Sequence, residues 1–451
     1  MLFRLLKCAF RFFVYFLIVF LVLPFIPLSL DFEPVAYKVT LPEFKGALAP
    51  NQALDNVEYL FPNQVVGPES LEQHGGSIYT GVVGGQILKL TGAKITPVAK
   101  FGKKCEGPWE EDICGLHQRS SRHLRGESPE FGPLFTTPAT RAAITANLRE
   151  MANPASTYEL SVSSPCLPEP FHGDAHEYVE DCICSTLATH IAGFVTPLVP
   201  NGIDLDGQPL SFANDLVVDS DGNVLFTETS TKWPLKKILY SVLEHENSGR
   251  VLMYDAKTKR THILLEDLYC PNGIELGPDA DSVIIAELTK NRLLKYYYRG
   301  PHKGDLVVFA ENLPGEPDNI RRTPRGGYWV AFASGRSSAK LSVLDHLSAY
   351  PLVRKSVVRL LYLLGSALKY ATTFYNWVPL KDIASRIDNG WILYEAVPKY
   401  GLIVELDASG KVVRSLHSPA GKIHLLSEVL EHDGHLYLGS FRNRFIGRVK
   451  A

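Results

Sequence analysis

The segment Ala213–Thr229, which reads ANDLVVDSDGNVLFTET, contains the unit from which the fold of this chain is built. A polar start leads into an aliphatic run, Asp221 and Gly222 supply a tight turn, and a second run of β-branched and aromatic residues follows. Asp and Gly tolerate the backbone conformations that tight turns need, and apolar residues on both sides are typical of paired strands. The segment therefore predicts a β-hairpin.

Four further segments repeat this pattern. They are PESLEQHGGSIYTG from Pro68, PNGIELGPDADSVIIAE from Pro271, PDNIRRTPRGGYWVAFA from Pro317 and LSEVLEHDGHLYLGS from Leu426. The equivalent aliphatic positions Leu216, Ile274 and Ile320 are 58 and 46 residues apart, near the length of one propeller blade. Longer intervals on either side leave room for a further blade. We therefore predict an all-β, six-bladed β-propeller.

Composition excludes several classes of function. The 451 residues carry a formal net charge of -2, which gives no electrostatic basis for binding nucleic acid. The chain contains no G-x-S-x-G motif of an α/β-hydrolase and no glycine-rich phosphate loop. We expect neither a nucleic-acid partner nor a nucleotide enzyme.

The N-terminal segment Phe12–Leu30 has 19 residues without a charge, which is enough for a helix to cross a bilayer. Three basic residues precede it and two acidic residues follow it, so the positive-inside rule places the N-terminus in the cytoplasm. This predicts a single-pass type II signal anchor, with the propeller outside the cytoplasm at the plasma membrane or an endomembrane. A cleaved signal peptide is the alternative, because Pro24 and Pro27 interrupt the apolar run.

The predicted domain organisation follows from these features. We assign residues 1–30 to a cytoplasmic tip and transmembrane anchor, 31–60 to a linker and possible closing strand, and 61–451 to the propeller. Residues 115–200 lack a blade pattern and form a divergent second-blade region. Apolar residues at helical spacing predict a short helical insertion at 341–380, near the channel mouth. This insertion either covers the channel, lies on a membrane surface, or only packs against the propeller.

Two cysteines are candidates for a disulfide. Cys105 and Cys114 flank the loop CEGPWEEDIC, whose Gly and Pro allow it to turn back on itself. An extracytoplasmic location would permit the bond. The alternative is a pair of unbonded thiols.

Oxygen-bearing side chains occur two residues before each equivalent aliphatic position. They are Glu69, Asn214, Asn272, Asp318 and Ser427, and Asn319 adds one more oxygen. Because the innermost strand of every blade lines the central channel, a constant offset predicts one ring of side chains at one depth. Two carboxylates with three amides form the oxygen cage that calcium prefers. The alternative is that these Asn and Asp residues only begin turns.

The repeats resemble the adipocyte plasma membrane-associated protein and hemomucin group of the strictosidine synthase-like family. The similar segments include FANDLVVDSDG, FTETSTKW, PNGIELGPD, AELTKNRLLKYYYRGP and NLPGEPDNIRRTPRGGYWVA. The family shares its six-bladed fold with calcium-dependent arylesterases and lactonases and with phosphotriesterases. The resemblance implies that Glu69, Asn214, Asn272, Asp318 and Asn319 bind a catalytic calcium.

The chain departs from the family pattern at two places. Plant strictosidine synthases have a glutamate where this chain has Ser427, and Glu428 is one step away on the opposite strand face, so we do not expect strictosidine synthase chemistry. The second cysteine of the pair is followed by CGLHQRSSRHLRGESPEFGPLF, which differs from the family's second blade. The arylesterases place a catalytic histidine in that blade, and His117 is only a nearby candidate.

The sequence leads to two functional hypotheses. The first is a hydrolase of small-molecule aryl esters or lactones, in which calcium polarises the carbonyl and Asp318 or a water molecule is the nucleophile or base. The second is a non-enzymatic cell-surface binding protein that retains a structural calcium. The altered second blade motivates the second hypothesis.

Overall fold

Each of the five hairpins forms the two inner strands of a four-stranded antiparallel sheet in the computed structural model, which describes residues 2–83, 86–100, 187–191, 194–199, 202–375 and 377–451. Strand β1 (Glu58–Leu60) comes first in the chain. The first blade contains β2 (Leu71–His74), β3 (Ser77–Val82), β4 (Gln86–Thr91) and β5 (Lys94–Lys100). Two strand pairs follow, which are β6 (Leu187–Ile191) with β7 (Phe194–Val199) and β8 (Asp204–Leu205) with β9 (Gln208–Pro209).

The remaining blades follow in chain order. The second blade contains β10 (Ala213–Val218), β11 (Val224–Glu228), β12 (Gly249–Tyr254) and β13 (Thr261–Leu268). The third contains β14 (Pro271–Leu276), β15 (Ser282–Glu287), β16 (Arg292–Tyr297) and β17 (Leu306–Ala310). The fourth contains β18 (Gly315–Arg322), β19 (Tyr328–Gly335), β20 (Gly401–Leu406) and β21 (Val412–Ser418). The fifth contains β22 (Leu426–His432), β23 (His435–Ser440) and β24 (Ile446–Lys450), and β1 pairs with β24 to complete it.

The turns of the hairpins have the chemistry that their sequences indicate. Asp433 and Gly434 both adopt positive φ, at 47° and 69°, which is the backbone that a two-residue hairpin turn requires. The carboxylate of Asp219 accepts the backbone N–H groups of Asp221 and Asn223, both at 2.9 Å. These local interactions fix the register of the inner strands.

The blades pack around a central channel. The innermost strands β10, β14, β18, β22 and β2 contact one another in that order. Apolar cores lie between neighbouring blades; Ile285 and Leu294 of the third blade, for example, pack with Val217 and Leu225 of the second. Because each sheet buries both faces against its neighbours, the described residues form one all-β propeller.

The prediction of six blades is wrong. The described residues form five four-stranded sheets, one for each hairpin pattern. The additional blade was inferred from the length of the interval between Leu71 and Leu216 and not from a hairpin. Between the first and second blades, the described part of that interval contains only β6 to β9. Most of the predicted divergent region 115–200 lies outside the described residues, and so do Cys105, Cys114 and His117.

The N-terminal helix α1 (Leu2–Val22) ends before the uncharged segment does. A 3₁₀ turn (Leu23–Phe25) and extended residues follow it, since Pro24 and Pro27 have no amide hydrogen to continue a helix. Within the part of the chain that the structure describes, no helix is both long enough and apolar enough to cross a membrane. The prediction of a transmembrane helix over Phe12–Leu30 is therefore wrong.

Helices lie over the channel mouth. Helix α2 (Ile238–Glu244) connects β11 with β12. Helices α3 (Val343–Leu347), α4 (Pro351–Phe374) and α5 (Val378–Asp388) and a 3₁₀ helix (Trp391–Ala396) connect β19 with β20. Gly365 of α4 lies so close to α5 that a Cβ there would be 2.7 Å from the Asp388 backbone, so only glycine permits this packing. The helical segment thus lies between the second and third strands of the fourth blade.

An N-terminal strap, residues 28–40, connects α1 to these helices. Arg359 of α4 donates to the carbonyl oxygens of Leu23, Pro24 and Ile26, at 3.0, 2.9 and 2.6 Å. Arg354 of α4 is buried and donates to carbonyl oxygens of the strap and of α2. Two arginines on one helix therefore hold the N-terminal segment over the channel mouth.

Candidate functional site

The candidate ligand residues occupy the places where the inner strands leave regular pairing. The register between inner and second strand shifts between Ala213 and Leu216, between Pro271 and Ile274, between Pro317 and Ile320, and between Leu426 and Glu428. Asn214, Asn272, Asp318, Asn319 and Ser427 lie inside these irregular stretches. Bulges of this kind redirect side chains and are frequent beside active sites. The common offset in the sequence therefore corresponds to a common backbone feature.

Hydrogen bonds connect these bulges around the channel. Thr227 donates to the carbonyl oxygen of Asn272 at 2.6 Å, and the amide of Asn214 donates to Thr229 at 2.6 Å. The hydroxyl of Thr229 donates in turn to the Pro271 carbonyl at 2.9 Å. The second and third blades are thus joined at the level of the candidate ligands.

Two further contacts continue the ring. A Cβ at Gly273 would lie 2.6 Å from the Cα of Asn319, so the absence of a side chain there lets β14 and β18 approach each other. Ser427 donates to the carbonyl oxygen of Glu69 at 2.6 Å, which joins the fifth blade to the first. Glu69 stands two residues before β2, and its N–H donates to Gly81 at 3.3 Å. Ser427 therefore makes a structural contact between two blades.

The five candidate ligands, Glu69, Asn214, Asn272, Asp318 and Asn319, are buried, with at most 5% of each side chain exposed. The side-chain oxygens of the three asparagines have no hydrogen-bond partner among the described residues. A buried amide oxygen without a partner costs about 1–3 kcal/mol. Oxygens of this kind beside two carboxylates fit a calcium ion, which accepts carboxylate and amide ligands.

The donor set does not resemble a transition-metal site. Within the described ranges, no three His, Cys, Asp or Glu side chains are grouped so that they could hold a metal ion. The candidate set instead combines two carboxylates with three amides. Such a set is suited to a hard cation.

A buried ionic network lies on the same inner strands, and the sequence analysis missed it. Arg321 of β18 makes a two-point ion pair with Asp215 of β10, at 2.6 and 3.0 Å, and contacts Glu428 of β22 at 2.7 Å. Asp215 also accepts the backbone N–H of Ile274 at 2.9 Å. Burial alone would lower the pKa of Arg321, but the charges of Asp215 and Glu428 outweigh it and raise that pKa.

The position of Glu428 corrects the strand-face argument made from the sequence. Simple alternation would turn Glu428 away from the channel if Ser427 faces it. The register shift between Leu426 and Glu428 removes that alternation, and Glu428 contacts Arg321 in the channel. Charged residues within otherwise apolar inner strands were the only signal of this network in the sequence.

A channel cavity of about 250 Å³ lies beside Asn272 and Asp318. Apolar side chains of α2, α3 and the Trp391–Ala396 turn form most of its walls, and Glu316, Ser334 and Arg336 form a polar side. This combination of apolar walls with a few polar groups is typical of small-molecule sites. The helices therefore enclose a space next to the candidate ligands.

An ion-pair triad connects the helical cover, which consists of helices α3 to α5 and the Trp391–Ala396 turn, to the propeller. Arg336, directly after β19, pairs with Glu316 of β18 at 2.7 Å and with Asp345 of α3 at 3.3 Å. Asp345 also forms a reciprocal capping box with Ser342, so it fixes the beginning of α3. This triad borders the channel cavity near Asp318.

Comparison with known proteins identifies the family. The model described as "Strictosidine synthase" matches residues 214–301, and "Strictosidine synthase-like, N-terminal" matches residues 46–90. The adipocyte plasma membrane-associated protein of Salmo salar is 35% identical over 90% of this chain and 81% of that protein. This chain belongs to the strictosidine synthase-like family. The family prediction made from the sequence motifs is confirmed.

Other relatives extend this assignment. The adipocyte plasma membrane-associated protein of Homo sapiens is 33% identical over 93% of this chain and 83% of that protein. The Drosophila melanogaster relative, named hemomucin, is 28% identical over 98% of this chain and 68% of its own length. The match therefore includes the N-terminal segment and the helical cover as well as the blades.

Solved structures with a similar overall form include a gluconolactonase of Xanthomonas campestris and the calcium-binding protein regucalcin of Agrobacterium tumefaciens. The first has a TM-score of 0.45 and 12% identity, and covers 94% of this chain and 99% of its own. The second has a TM-score of 0.40 and 11% identity, and covers 91% and 95%. Likenesses at this level carry no argument about activity.

Proposed function

We propose that this chain is a calcium-dependent hydrolase of aryl esters or lactones that acts at the mouth of the propeller channel. The observation that carries the proposal is the layer of buried asparagine oxygens without hydrogen-bond partners among the described residues, beside two buried carboxylates. Glu69, Asn214, Asn272, Asp318 and Asn319 would hold the ion. Asn272 and Asp318 also line the channel cavity, so a substrate there would meet them directly.

The residues around the cavity have separate tasks in such a reaction. When bound, calcium would polarise the substrate carbonyl and stabilise the negative charge that develops on its oxygen. The carboxylate of Asp318 would accept a proton from the attacking water, or would attack the carbonyl carbon and expel the alcohol, after which water would release the acid. The apolar walls hold the apolar part of the substrate and exclude bulk water. Ser427 supplies no carboxylate, which argues against strictosidine synthase chemistry.

Hydrolysis of phenyl acetate by the full-length chain tests the proposal. We expect calcium-dependent turnover in the wild type and a loss of at least 100-fold in Asn272→Ala, since an electrostatic contribution of this type is worth about 2.7–4 kcal/mol. Asn247→Ala, at an exposed position away from the channel, is the matched control and should retain activity. If calcium binds but neither phenyl acetate nor simple lactones are hydrolysed, the non-enzymatic binding protein with a structural calcium replaces the hydrolase.

We also propose that the protein contacts a lipid surface, as the names of its relatives say of those proteins. Exposed apolar residues cover α1, and four exposed aromatic residues follow one another where α4 meets α5: Tyr370, Phe374, Tyr375 and Trp377, each at least 60% exposed. Aromatic residues of this kind are preferred at the boundary between lipid and water. Ser356 of α4 donates to the Phe20 carbonyl of α1 at 2.8 Å, so the two helices are in contact.

Flotation with phosphatidylcholine vesicles tests this contact. Phe374→Ser with Trp377→Ser should reduce the bound fraction about tenfold or more, because burying one large apolar side chain is worth roughly 1.5–3 kcal/mol. Val307→Ser with Val308→Ser, on the exposed outer strand β17, is the control pair. Equal flotation of both double variants would remove the α4–α5 surface from the proposal.

A further inference from the structure

A second cavity lies outside the propeller channel, between the N-terminal strap, the end of α2 and the loop after β15. Its volume is about 440 Å³, and Tyr37, His245, Lys290 and Arg292 are among its lining residues. Glu316 and Arg336 line both this cavity and the channel cavity, so the ion-pair triad separates the two. We call this second space the strap pocket. None of the proposed calcium ligands lines it.

His245 is the unusual residue of the strap pocket. Its side chain is only 2% exposed, yet neither ring nitrogen has a hydrogen-bond partner within the described part of the chain. The ring stacks on Tyr37, with 3.7 Å between ring centroids and 10° between planes, and contacts Tyr269 at 5.0 Å. Buried polar groups in folded proteins are nearly always hydrogen-bonded. Because His245 lines the strap pocket, its two unpartnered ring nitrogens indicate a place for a ligand.

The charge of the pocket favours a negative ligand. Burial and the nearby charges of Lys290 and Arg354 lower the pKa of His245 to about 3, so the imidazole is neutral and offers one N–H donor. Lys290 lies 3.8 Å from the centroid of the Tyr269 ring, and no ion-pair partner of its ammonium occurs in the described ranges. Burial and the charge of Arg292 lower the pKa of Lys290.

The buried charged groups around the pocket are already matched, and the exposed side chains of Lys38 and Glu311 also line it. Arg292 pairs with Glu287 at 2.5 Å, and Arg336 pairs with Glu316 and Asp345. Arg354 donates to backbone carbonyl oxygens, including that of Ser348 at 3.2 Å. Lys290 is thus a half-buried cation of this pocket whose charge a ligand can balance, whereas Lys38 is exposed to solvent.

We propose that the strap pocket binds the carboxylate group of a small organic molecule. The ammonium of Lys290 and the N–H of His245 donate to the carboxylate, and the aromatic ring of Tyr37 flanks the bound molecule. Hydrogen bonds between charged partners are stronger than neutral ones, so Lys290 carries most of the affinity. This site does not depend on hydrolysis in the channel, and its occupant adjoins the triad that borders the channel.

Titration of the full-length protein, labelled with ¹³C at its histidine rings, tests the site with acetate as the probe. Loss of one resonance in His245→Gln assigns the signal of His245. We expect a saturable shift of that signal with acetate and a weakening of about tenfold or more in Lys290→Gln, whereas Lys303→Gln, at an exposed lysine, binds as the wild type does. Ethanol, which resembles acetate without the charge, should give no saturable shift.

Three results would overturn the proposal. They are the absence of a saturable shift, equal acetate binding by Lys290→Gln and the wild type, and tighter binding of inorganic phosphate than of acetate. The last result would assign the pocket to phosphate groups instead of carboxylates. Calorimetric acetate titration of Lys290→Gln, with its folding checked by thermal denaturation, keeps the test valid if His245→Gln does not fold.

Discussion

Two layers of polar residues share the inner strands of this propeller, and they differ in how far their hydrogen-bonding capacity is used. In the ionic layer, Arg321 is matched by Asp215 and Glu428. In the ligand layer, the amide oxygens of Asn214, Asn272 and Asn319 have no partner within the described residues. Adjacent residues such as Asn214 and Asp215 belong to different layers. The satisfied layer joins three blades, and the unsatisfied layer is open to an ion.

The difference predicts opposite responses to mutation, and the largest concerns Arg321. Arg321→Met leaves two carboxylates buried without a cation, and we expect a loss of about 3–5 kcal/mol in the free energy of unfolding. Chemical denaturation measures it, with or without calcium. Arg325→Met is the control on the same strand pair: its ion pairs are half-exposed, and exposed pairs contribute at most about 1 kcal/mol. Equal losses in the two variants would contradict the structural role of the ionic layer.

Unlike Arg321→Met, Asn272→Ala should not lower the stability of the calcium-free protein. Because its amide has no partner among the described residues, the variant should be as stable as the wild type in EDTA. Calcium at about 100 times its dissociation constant should add roughly 2.7 kcal/mol to the wild type, and much less to the variant. Thermal denaturation with and without calcium measures both effects. A variant destabilised in EDTA would mean that this asparagine belongs with the structural layer.

The triad of Arg336, Glu316 and Asp345 is predicted to hold helix α3 against the propeller. Arg336→Gln leaves Glu316 and Asp345 without their cation, and we expect a loss of about 1–3 kcal/mol. Hydrogen exchange should become faster in α3, whose first turn Asp345 caps, while the inner strands keep their protection. Lys295→Gln, which removes the ion pair of the outer residue Asp279, is the control. Unchanged exchange in α3 would show that the triad does not hold the cover.

A pH dependence that arises outside both layers is also predicted. Burial lowers the pKa of His417 to about 4, where its ring nitrogens meet Tyr400 and Ser415, both at 2.7 Å. The unfolded chain therefore binds a proton near its ordinary pKa of about 6.5 that the folded chain does not bind. Stability should fall as the pH decreases from about 6.5 towards 4. In denaturation measured across this range, His417→Gln should have a shallower slope, and an unchanged slope would exclude His417 as the source.

Local sequence patterns predicted the five blades that begin with a hairpin, whereas the spacing between hairpins did not predict the number of blades. The Asp433–Gly434 turn and the flanking apolar residues are sufficient to specify a hairpin, because turn geometry and strand pairing are local. An interval length has no such content: the interval between Leu71 and Leu216 was expected to hold an additional blade, and between the first and second blades its described part contains only β6 to β9. Hydropathy alone also did not account for Pro24, which limits α1.

In the candidate site, too, the sequence predicted features within one strand but not contacts between distant strands. The constant offset of Asn214, Asn272 and Asp318 was visible in the sequence, and the positions of these residues in bulges remain consistent with one ring. The pairing of Arg321 with Asp215 was not visible, since it joins residues 106 apart and depends on bulges that cancel strand alternation. Contacts between blades depend on the assembled fold and not on any one segment.

Calcium titration of the full-length chain by calorimetry is the most direct measurement of the ligand layer. We predict one saturable site in the wild type and at least tenfold weaker binding in Glu69→Gln, which removes one of the two carboxylate charges from the ligand set. Glu58→Gln, at an exposed glutamate on β1, should bind calcium as the wild type does. Absence of calcium binding in the wild type, or equal binding by all three proteins, would contradict the account.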